Sequence, residues 1–244
     1  MSLAVCAIFK NEAPYLREWI QFHRLMGFDK FHLFDNASTD DWRPEIQDLI
    51  DAGIVFVEFW PGAAQQVPVY NKFLETSKKI GYDWVAFIDV DEYIYSVHGE
   101  TIDKALIIYK HYASVEINWV LFGSSAHTTK PDGLTIDNYI MCSEKTYRPN
   151  IDHVKSIVKP DMTIQFLDPH KVSTLGQKIN SKSLVVNHYY TRSEEECSNK
   201  FARGRSDITG KRSMEEYYAS VNDLSAVKDE RIKDLWGEAL RNSL

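Results

Sequence analysis

Three carboxylates stand together in the stretch FIDVDEYI, residues 87–94, where an apolar run that should be buried comes to its end. They belong to Asp89, Asp91 and Glu92. Burying an unpaired charge costs several kcal/mol, so these side chains must meet a cation. Because side chains alternate along an extended chain, we expect Asp89 and Asp91 on one side and Val90 on the other. Two converging carboxylates suit Mg²⁺ or Mn²⁺, and Mg²⁺ usually keeps waters and substrate phosphates among its ligands.

A simpler explanation of this Asp-x-Asp tripeptide is that its acids cap a turn or pair with surface Lys and Arg. Its position favours the metal. The tripeptide follows the fourth predicted strand, and the first two predicted strands also end in polar clusters, KNE at 10–12 and DNASTDD at 35–41. The carboxyl ends of parallel strands meet at one edge of a sheet, where open α/β folds bind their ligands. The sequence therefore predicts a metal site in a cleft at that edge.

The elements that must position this cleft alternate between strand and helix. Short apolar runs predict the strands, and apolar residues at helical spacing, bounded by Pro14, Gly27 and Gly81, predict the helices. The strands are expected at residues 3–9, 31–34, 54–59 and 84–89, and the helices at 14–27 and 67–80. This alternation is typical of a parallel sheet with helices on both faces.

The second half is expected to add strands of mixed direction. Turn residues separate short runs at 115–122, 153–159, 162–167 and 183–190. Ser193 and Glu196 have the spacing of a capping box, which opens a helix that runs to about Arg203. We therefore predict an α/β fold with a mixed central sheet and a helical C-terminal tail. Residues 1–210 would form one domain, and residues 211–244 a helical extension that packs on it or leads to a further region.

Composition limits the class of protein. The 244-residue chain has a formal net charge of -7, which argues against nucleic-acid binding because that needs Lys and Arg to neutralise phosphates. The three cysteines are far apart and form no CxxC pair, which is typical of a reducing setting. The chain shows no basic leader and no long apolar run. We expect a cytoplasmic protein without a transmembrane segment, with peripheral contact at the inner membrane face left open.

Several segments, taken in order, resemble one group of enzymes. They are AIFKNEAPYLREWIQFHRLMGFDKFHLFDNASTDD at 7–41, DVDE at 89–92, NWVLFGSS at 118–125, VKSIVKP at 154–160 and NHYYTRSEEECSNKFARG at 187–204. In these segments the sequence resembles glycosyltransferases of the GT-A fold that use nucleotide sugars, in the family 2-like and family 92 group. The segments span most of the chain up to about residue 210, and their order carries the resemblance.

The resemblance implies a fold and a cofactor. The fold is GT-A, the Rossmann-like fold of nucleotide-diphospho-sugar transferases. Asp89 and Asp91 would form the DXD motif and bind a Mn²⁺ or Mg²⁺ ion that bridges the diphosphate of a UDP-sugar or similar donor. A late histidine commonly supplies a third metal ligand in similar enzymes. The resemblance nominates His188 for this role, with His170 as a rival.

Residues that bind the donor follow from the same resemblance. The ends of the first two strands would hold the nucleoside, which nominates Lys10, Asn11, Glu12 and Asp35. Asn11 also suits the capping of a helix ahead of Pro14, and Asp35 suits the capping of a turn; in both cases capping is compatible with binding. Glu92 would bind hydroxyls of the donor sugar.

Cations are expected near the leaving diphosphate, because charge builds there in the transition state. Lys200 and Arg203 are three residues apart on a predicted helix and so share a face. Lys155 or Lys159 would add a further charge.

The group is similar to inverting enzymes, so we expect direct displacement by a hydroxyl of a glycan or other acceptor. A carboxylate must then take the proton of that hydroxyl, and Asp132 and Glu144 are the candidates. Trp119 and Phe122 would offer apolar faces to a sugar ring. Two other functions stay open, a metal-dependent nucleotidyltransferase and a noncatalytic carbohydrate-binding module. The lack of a Gly-rich basic loop near the N-terminus argues against the first.

Overall fold

Strand β1 (Leu3–Phe9) lies inside the sheet, and all seven of its residues are buried. The structure is a computed structural model that describes residues 1–144, 154–202, 214–215 and 223–244. β1 pairs in parallel with strands on both sides, which is why its sequence is apolar throughout rather than alternating.

The predicted alternation of the first half is confirmed. Its elements are β1, α1 (Ala13–Leu25), β2 (Lys30–Asp35), α2 (Arg43–Asp51), β3 (Val55–Phe59), α3 (Gln66–Ile80), β4 (Trp84–Phe87) and β5 (Glu92–Ser96). Helix α2 was not predicted. It is short, and the only residues it buries are Ile46 and Leu49, so its apolar signal spans a single turn.

The fourth strand is shorter than predicted, since it was expected at residues 84–89. β4 ends at Phe87 and residues 88–91 form a turn that leads into β5, with the amide of Glu92 donating to the carbonyl of Asp89 at 3.0 Å. Strand alternation therefore does not apply to Asp89 and Asp91. The two carboxylates consequently have different partners.

The second half contains mainly short strands. Its elements are α4 (Ile102–Ala105), β6 (Ser114–Leu121), α5 (Thr135–Asn138), β7 (Met141–Cys142), β8 (Val154–Val158), β9 (Thr163–Asp168), β10 (Lys171–Thr174), β11 (Lys178–Asn180), β12 (Leu184–His188), α6 (Glu194–Ala202), β13 (Val227–Lys228) and α7 (Arg231–Arg241). The four strand-like runs and the helix after Ser193 are confirmed, with bounds shifted by one or a few residues.

The main sheet has the order β3-β2-β1-β4-β8-β6-β12-β5, with β11 also paired to β6. The first four strands are parallel, whereas β8 runs antiparallel between β4 and β6. β12 is parallel to β6 and antiparallel to β5. The predicted mixed central sheet is thus confirmed. Its β4–β8 and β5–β12 pairs bring distant polar residues to one edge.

Both faces of the sheet carry a hydrophobic core. On one face, Trp19 and Phe22 of α1 belong to the larger cluster. On the other face, Tyr70 and Phe73 of α3 pack with Phe87 and Phe166. The sheet is therefore covered by helices on both sides, as parallel strands require.

The C-terminal helix α7 packs on this core. Ile232 and Leu240 are 1% and 0% exposed, and α7 contacts α1 and α5. The domain boundary near residue 210 stays a prediction, because residues 203–213 lie outside the described ranges. Across the residues that the structure describes, no helix is long and apolar enough to cross a membrane.

Candidate active site

Two strand pairings bring the polar residues of the site together. β12 pairs with β5 so that His188 lies opposite Glu92, and the amide of Tyr189 donates to the carbonyl of Asp91 at 2.8 Å. β8 pairs with β4 so that Ser156 lies opposite Phe87, which puts Lys155 just beyond the end of β4. The acidic turn after β4 therefore meets residues from the second half of the chain.

Lys155 is the cation that meets the first carboxylate. Its Nζ lies 3.0 Å from Oδ2 of Asp89 and 3.5 Å from Oε2 of Glu92, and its side chain is 0% exposed. Burial alone would lower the pKa of Lys155, but the charges of Asp89 and Glu92, together with Tyr70 and the hydrogen bond to Asp89, outweigh it and raise the pKa well above its ordinary value. Asp89 also accepts a hydrogen bond from Gln66. The hydroxyl of Tyr70 also donates to Asp89, so Asp89 is held by three side chains of the chain itself.

Glu92 lies below this pair in the core. Its side chain is 0% exposed, and Oε2 accepts a hydrogen bond from the amide of Asp89 at 2.9 Å. Burial raises the pKa of Glu92 well above its ordinary value, although Lys155 opposes this. The predicted contact of Glu92 with hydroxyls of a donor sugar does not fit this burial. Glu92 supports the turn instead.

Asp91 has a different set of partners. Its Oδ2 accepts from Nζ of Lys200 and lies 3.4 Å from Nε2 of His188. Burial alone would raise the pKa of Asp91, but Lys200 and His188 hold it well below its ordinary value. Burial lowers the pKa of His188, which keeps the imidazole neutral. A carboxylate and a neutral imidazole therefore lie side by side.

These two side chains fit a divalent cation. Mg²⁺ binds its ligands at about 2.0–2.1 Å in octahedral geometry, so neighbouring ligand atoms lie about 3 Å apart. The 3.4 Å between Asp91 and His188 is close to that value. Within the described ranges, no three His, Cys, Asp or Glu side chains are grouped to hold an ion by themselves. Water or a diphosphate would have to complete the coordination.

His170 occupies a different place. Its Nδ1 lies 3.1 Å from the carbonyl of Val154, and its ring packs edge-on against Trp119 at 4.8 Å between centroids. Trp119 also contacts His188, at 4.3 Å between centroids. The imidazole in contact with the acidic turn is that of His188. Phe122 is 0% exposed and belongs to the core, so it offers no face to a sugar.

The predicted nucleoside-binding residues lie at the ends of β1 and β2. Oδ1 of Asn11 accepts from the amide of Thr39 at 2.7 Å, and Oδ1 of Asp35 accepts from the amide of Ser38 at 2.8 Å. Asp35 thus caps the turn that follows β2, the simpler of its two expected roles. Asn11 instead binds the loop after β2, and the expected helix cap is wrong because the N-cap position of α1 lies one residue later and has no side-chain cap. Lys10 is half-buried at the end of β1.

Glu12, the remaining predicted nucleoside-binding residue, forms an ion pair within the chain. It is 5% exposed and forms an ion pair with Arg192 at 2.9 Å. The Arg192 guanidinium stacks on the ring of Tyr15 at 3.3 Å, and the residue has a left-handed φ of 53°. Burial alone would lower the pKa of Arg192, but Glu12 and Asp91 raise it. Sequence reasoning missed this pair, because its members are 180 residues apart.

A cavity of about 320 Å³ opens beside Lys200, the partner of Asp91. It lies between the start of α1 and helix α6. Its wall includes Tyr15, Tyr190, Arg192, Glu196 and Lys200. This volume is within the range of about 300–1,000 Å³ that small-molecule sites occupy. Lys200 connects the cavity to the acidic turn through its contact with Asp91.

The predicted bases and the remaining predicted cations lie apart from this centre. Asp132 and Glu144 are exposed, and neither is among the described residues that line the cavity. The Nζ of Lys159 donates to the carbonyl of Lys110, close to the start of β6 at the opposite edge of the sheet. Arg203 lies outside the described residues.

Comparison with known proteins identifies the family. The family model described as Glycosyltransferase family 92 matches residues 1–236. The chain belongs to glycosyltransferase family 92. A family 92 protein of Arabidopsis thaliana is 30% identical over 200 residues, which are 77% of this chain and 35% of that protein. A galactan beta-1,4-galactosyltransferase of the same plant is 33% identical over 103 residues, 38% of this chain and 21% of that protein.

The family 92 chain spans about a third of the length of the curated family members that it matches. Among solved structures, S. aureus TarS 1-349 in complex with UDP-GlcNAc has a TM-score of 0.50 and 13% identity. That match covers 100% of this chain and 72% of the TarS chain. At this identity the likeness shows the fold alone. The predicted GT-A fold is thereby confirmed.

Proposed function

We propose that this family 92 chain catalyses sugar transfer from a nucleotide-diphosphate donor, a UDP-sugar, to a hydroxyl of a glycan or other acceptor. The observation that carries the proposal is the contact of Asp91 with His188 and Lys200 beside a cavity of about 320 Å³. Relatives support the donor class, since one is named as a galactosyltransferase and the TarS structure holds UDP-GlcNAc.

A divalent cation is part of the proposal. Asp91 and His188 would hold Mn²⁺ or Mg²⁺, and the ion would stabilise the negative charge of the departing diphosphate. Lys200 already meets Asp91 and lies where it can add a second positive charge to that diphosphate. Asp89 is 29% exposed and neutralised by Lys155, so in our proposal it contacts the donor rather than the ion.

The reaction would proceed with inversion, by direct attack of the acceptor oxygen on the anomeric carbon. Arg192, Tyr15 and the ends of β1 and β2 would shape the walls around the reactants. The buried Lys155 holds the acidic turn in place. It also neutralises Asp89, whose charge would otherwise repel the diphosphate.

Calorimetry tests donor and metal together. We expect UDP to bind the 244-residue chain with Mn²⁺ at least about tenfold tighter than with EDTA, which corresponds to about 1.4 kcal/mol. Asp91→Asn should remove this metal dependence. Asp89→Asn should weaken the binding of a UDP-sugar but leave its dependence on Mn²⁺ unchanged. The same change at the exposed Asp161 is the control. If UDP binds equally well with and without Mn²⁺, the metal site is refuted. If UDP does not bind at all, the donor class is refuted.

Product analysis separates the other functions. A panel of UDP-sugars that includes UDP-galactose and UDP-GlcNAc should give transfer or slow donor hydrolysis. Release of pyrophosphate from a nucleoside triphosphate and a sugar phosphate would indicate a nucleotidyltransferase instead. Sugar binding without turnover of any donor would indicate a noncatalytic module.

We further propose a cytoplasmic location, with peripheral contact at the inner membrane face as an open part of that proposal. The support is that Cys6, Cys142 and Cys197 are all buried thiols, as a reducing compartment maintains. Fractionation of cells that produce the chain, with and without a salt wash of membranes, tests both parts.

A further inference from the structure

Glu196 lies on the same face of α6 as Lys200, because four residues separate them. Lys200 contacts Asp91, and both Glu196 and Lys200 line the cavity. The cavity thus extends from the proposed diphosphate position to the carboxylate of Glu196. No other carboxylate on the described cavity wall is held so firmly, since the neighbouring Glu195 is exposed.

Three elements hold the Glu196 carboxylate in place. Its Oε2 accepts from the amide of Ser193 at 3.1 Å, from the hydroxyl of Ser193 at 2.5 Å and from the hydroxyl of Tyr139 at 2.5 Å. Its Oε1 accepts from the hydroxyl of Tyr15. A carboxylate with fixed orientation beside a reactant cavity is preorganised for proton transfer.

We propose that the cavity receives the acceptor saccharide and that Glu196 is the base that takes the proton of its attacking hydroxyl. This inference rests on the proposed glycosyl transfer. The acceptor O–H bond breaks and its proton goes to a carboxylate oxygen of Glu196. The acceptor oxygen forms the new bond to the anomeric carbon, and the bond from that carbon to the diphosphate breaks with its electron pair leaving on the diphosphate.

The chemical environment suits this role. Burial raises the pKa of Glu196 to about 7, with the hydrogen bond from Ser193 opposing and the charge of Glu12 assisting. A base is most effective when its pKa lies near the working pH. Tyrosine side chains in the wall, Tyr15 and Tyr190, offer the amphipathic surfaces that sugars contact.

Charged groups on neighbouring elements face this carboxyl. From the β1–α1 turn comes Glu12, paired with Arg192, and from the loop before α5 comes Lys130, whose Nζ lies 5.4 Å from the Tyr15 ring centroid. On α6 itself are Glu195 and Lys200. Arg192 is paired with Glu12 and Lys200 with Asp91, so we expect Glu196 to give a single midpoint near pH 7 in the rate profile of the wild-type chain.

The competing explanation is that Glu196 serves only as the capping-box acid of α6. Glu196→Gln separates the two, because glutamine can fill the same capping position but cannot take a proton. Glu194→Gln is the matched control, since it removes the same charge from the same first turn at a residue outside the cavity wall.

For Glu196→Gln we expect kcat to fall by about 10²–10⁴-fold, with UDP affinity close to wild type and a chain that still folds cooperatively. Glu194→Gln should keep wild-type kcat within about twofold. The wild-type kcat/KM should rise with pH through about 7, and this rise should be absent in Glu196→Gln.

A Glu196→Gln variant with near wild-type kcat would overturn the assignment while leaving the proposed transfer intact. If that variant does not fold, the wild-type profile decides, and a rate without inflection between about pH 6 and 8 would overturn it. A wild-type chain that neither binds UDP nor transfers sugar would remove the proposed function, and this inference with it.

Discussion

Two ammonium groups, one of them fully buried, explain how three acids can follow a core strand, because Lys155 meets Asp89 and Glu92 and Lys200 meets Asp91. The sequence indicated that a cation must meet Asp89 and Glu92, but it did not show which one. Lys155 is 66 residues from Asp89, and only the antiparallel β4–β8 pair brings them together. The resemblance to GT-A enzymes nominated His188 as a ligand beside Asp91, and helix spacing nominated Lys200 as a cation for the diphosphate. Arg192 and the proposed role of Glu196 depend on contacts that no local pattern reveals.

Lys155→Met should destabilise the fold by about 3–5 kcal/mol, because it leaves the buried Glu92 and the partly buried Asp89 without their cation. The measurement is urea unfolding at neutral pH. Lys171→Met, at a side chain that is 63% exposed, should change the free energy of unfolding by less than about 0.5 kcal/mol. Equal stability of the two variants would contradict the buried ion pair.

The pH dependence of stability tests the environment of Glu196. Its pKa is raised in the folded chain from 4.5 to about 7, so between these values the folded state binds more protons than the unfolded state. This group therefore favours folding at low pH, and its contribution is lost as the pH rises through about 7.

The difference in unfolding free energy between wild type and Glu196→Gln should accordingly fall as the pH rises from 5 to 7, within the window set by those two pKa values. Thermal melts at fixed ionic strength measure it. A constant difference across this range would mean that the carboxyl has an ordinary pKa.

At the scale of elements, regular patterns were predicted well and short ones were not. The capping box of Ser193 and Glu196 was predicted and is present, with the Glu196 amide donating to Oγ of Ser193 at 3.3 Å. Helix α2 and the early end of β4 were missed, since one turn of apolar residues or a two-residue shift leaves little periodic signal. The β4 error changed the expected geometry of the acids.

Ser193→Ala should cost about 1 kcal/mol of stability, because it removes the side-chain cap of α6. It should also lower kcat, since Ser193 orients Glu196. Ser198→Ala, at an exposed position of the same helix, is the control and should leave both quantities near wild type. Unfolding curves and kcat measurements test both effects. A Ser193→Ala variant that loses stability but keeps its kcat would contradict the idea that Ser193 orients Glu196 for catalysis.

At the scale of the whole molecule, the sheet order brings both halves of the chain to the edge that carries the candidate site, and α7 packs on the core from the C-terminal side. The alternating first half was enough to predict the parallel part of the sheet, whereas the ligand site at its edge stays a prediction. The strand order of the second half was not predictable, because antiparallel and parallel pairs of short strands have similar sequences.

Leu240→Ala should destabilise the whole chain by about 2–5 kcal/mol, because this side chain is 0% exposed in the main core. Leu235→Ala, at a residue of the same helix that is 42% exposed, is the control and should cost far less. The two denaturant midpoints give the comparison. Similar midpoints would mean that α7 is not an integral part of the folding unit.

The reactivity of the three buried thiols can report local unfolding of the regions that contain them. Cys6 lies in β1, Cys142 in β7 and Cys197 in α6, so each belongs to a different region. An alkylating reagent can reach each sulfur only when its surroundings separate, and mass spectrometry of partly labelled chains would order these separations in time. If α6 moves away from the core to let reactants enter the cavity, Cys197 in α6 should be labelled before Cys6 in β1.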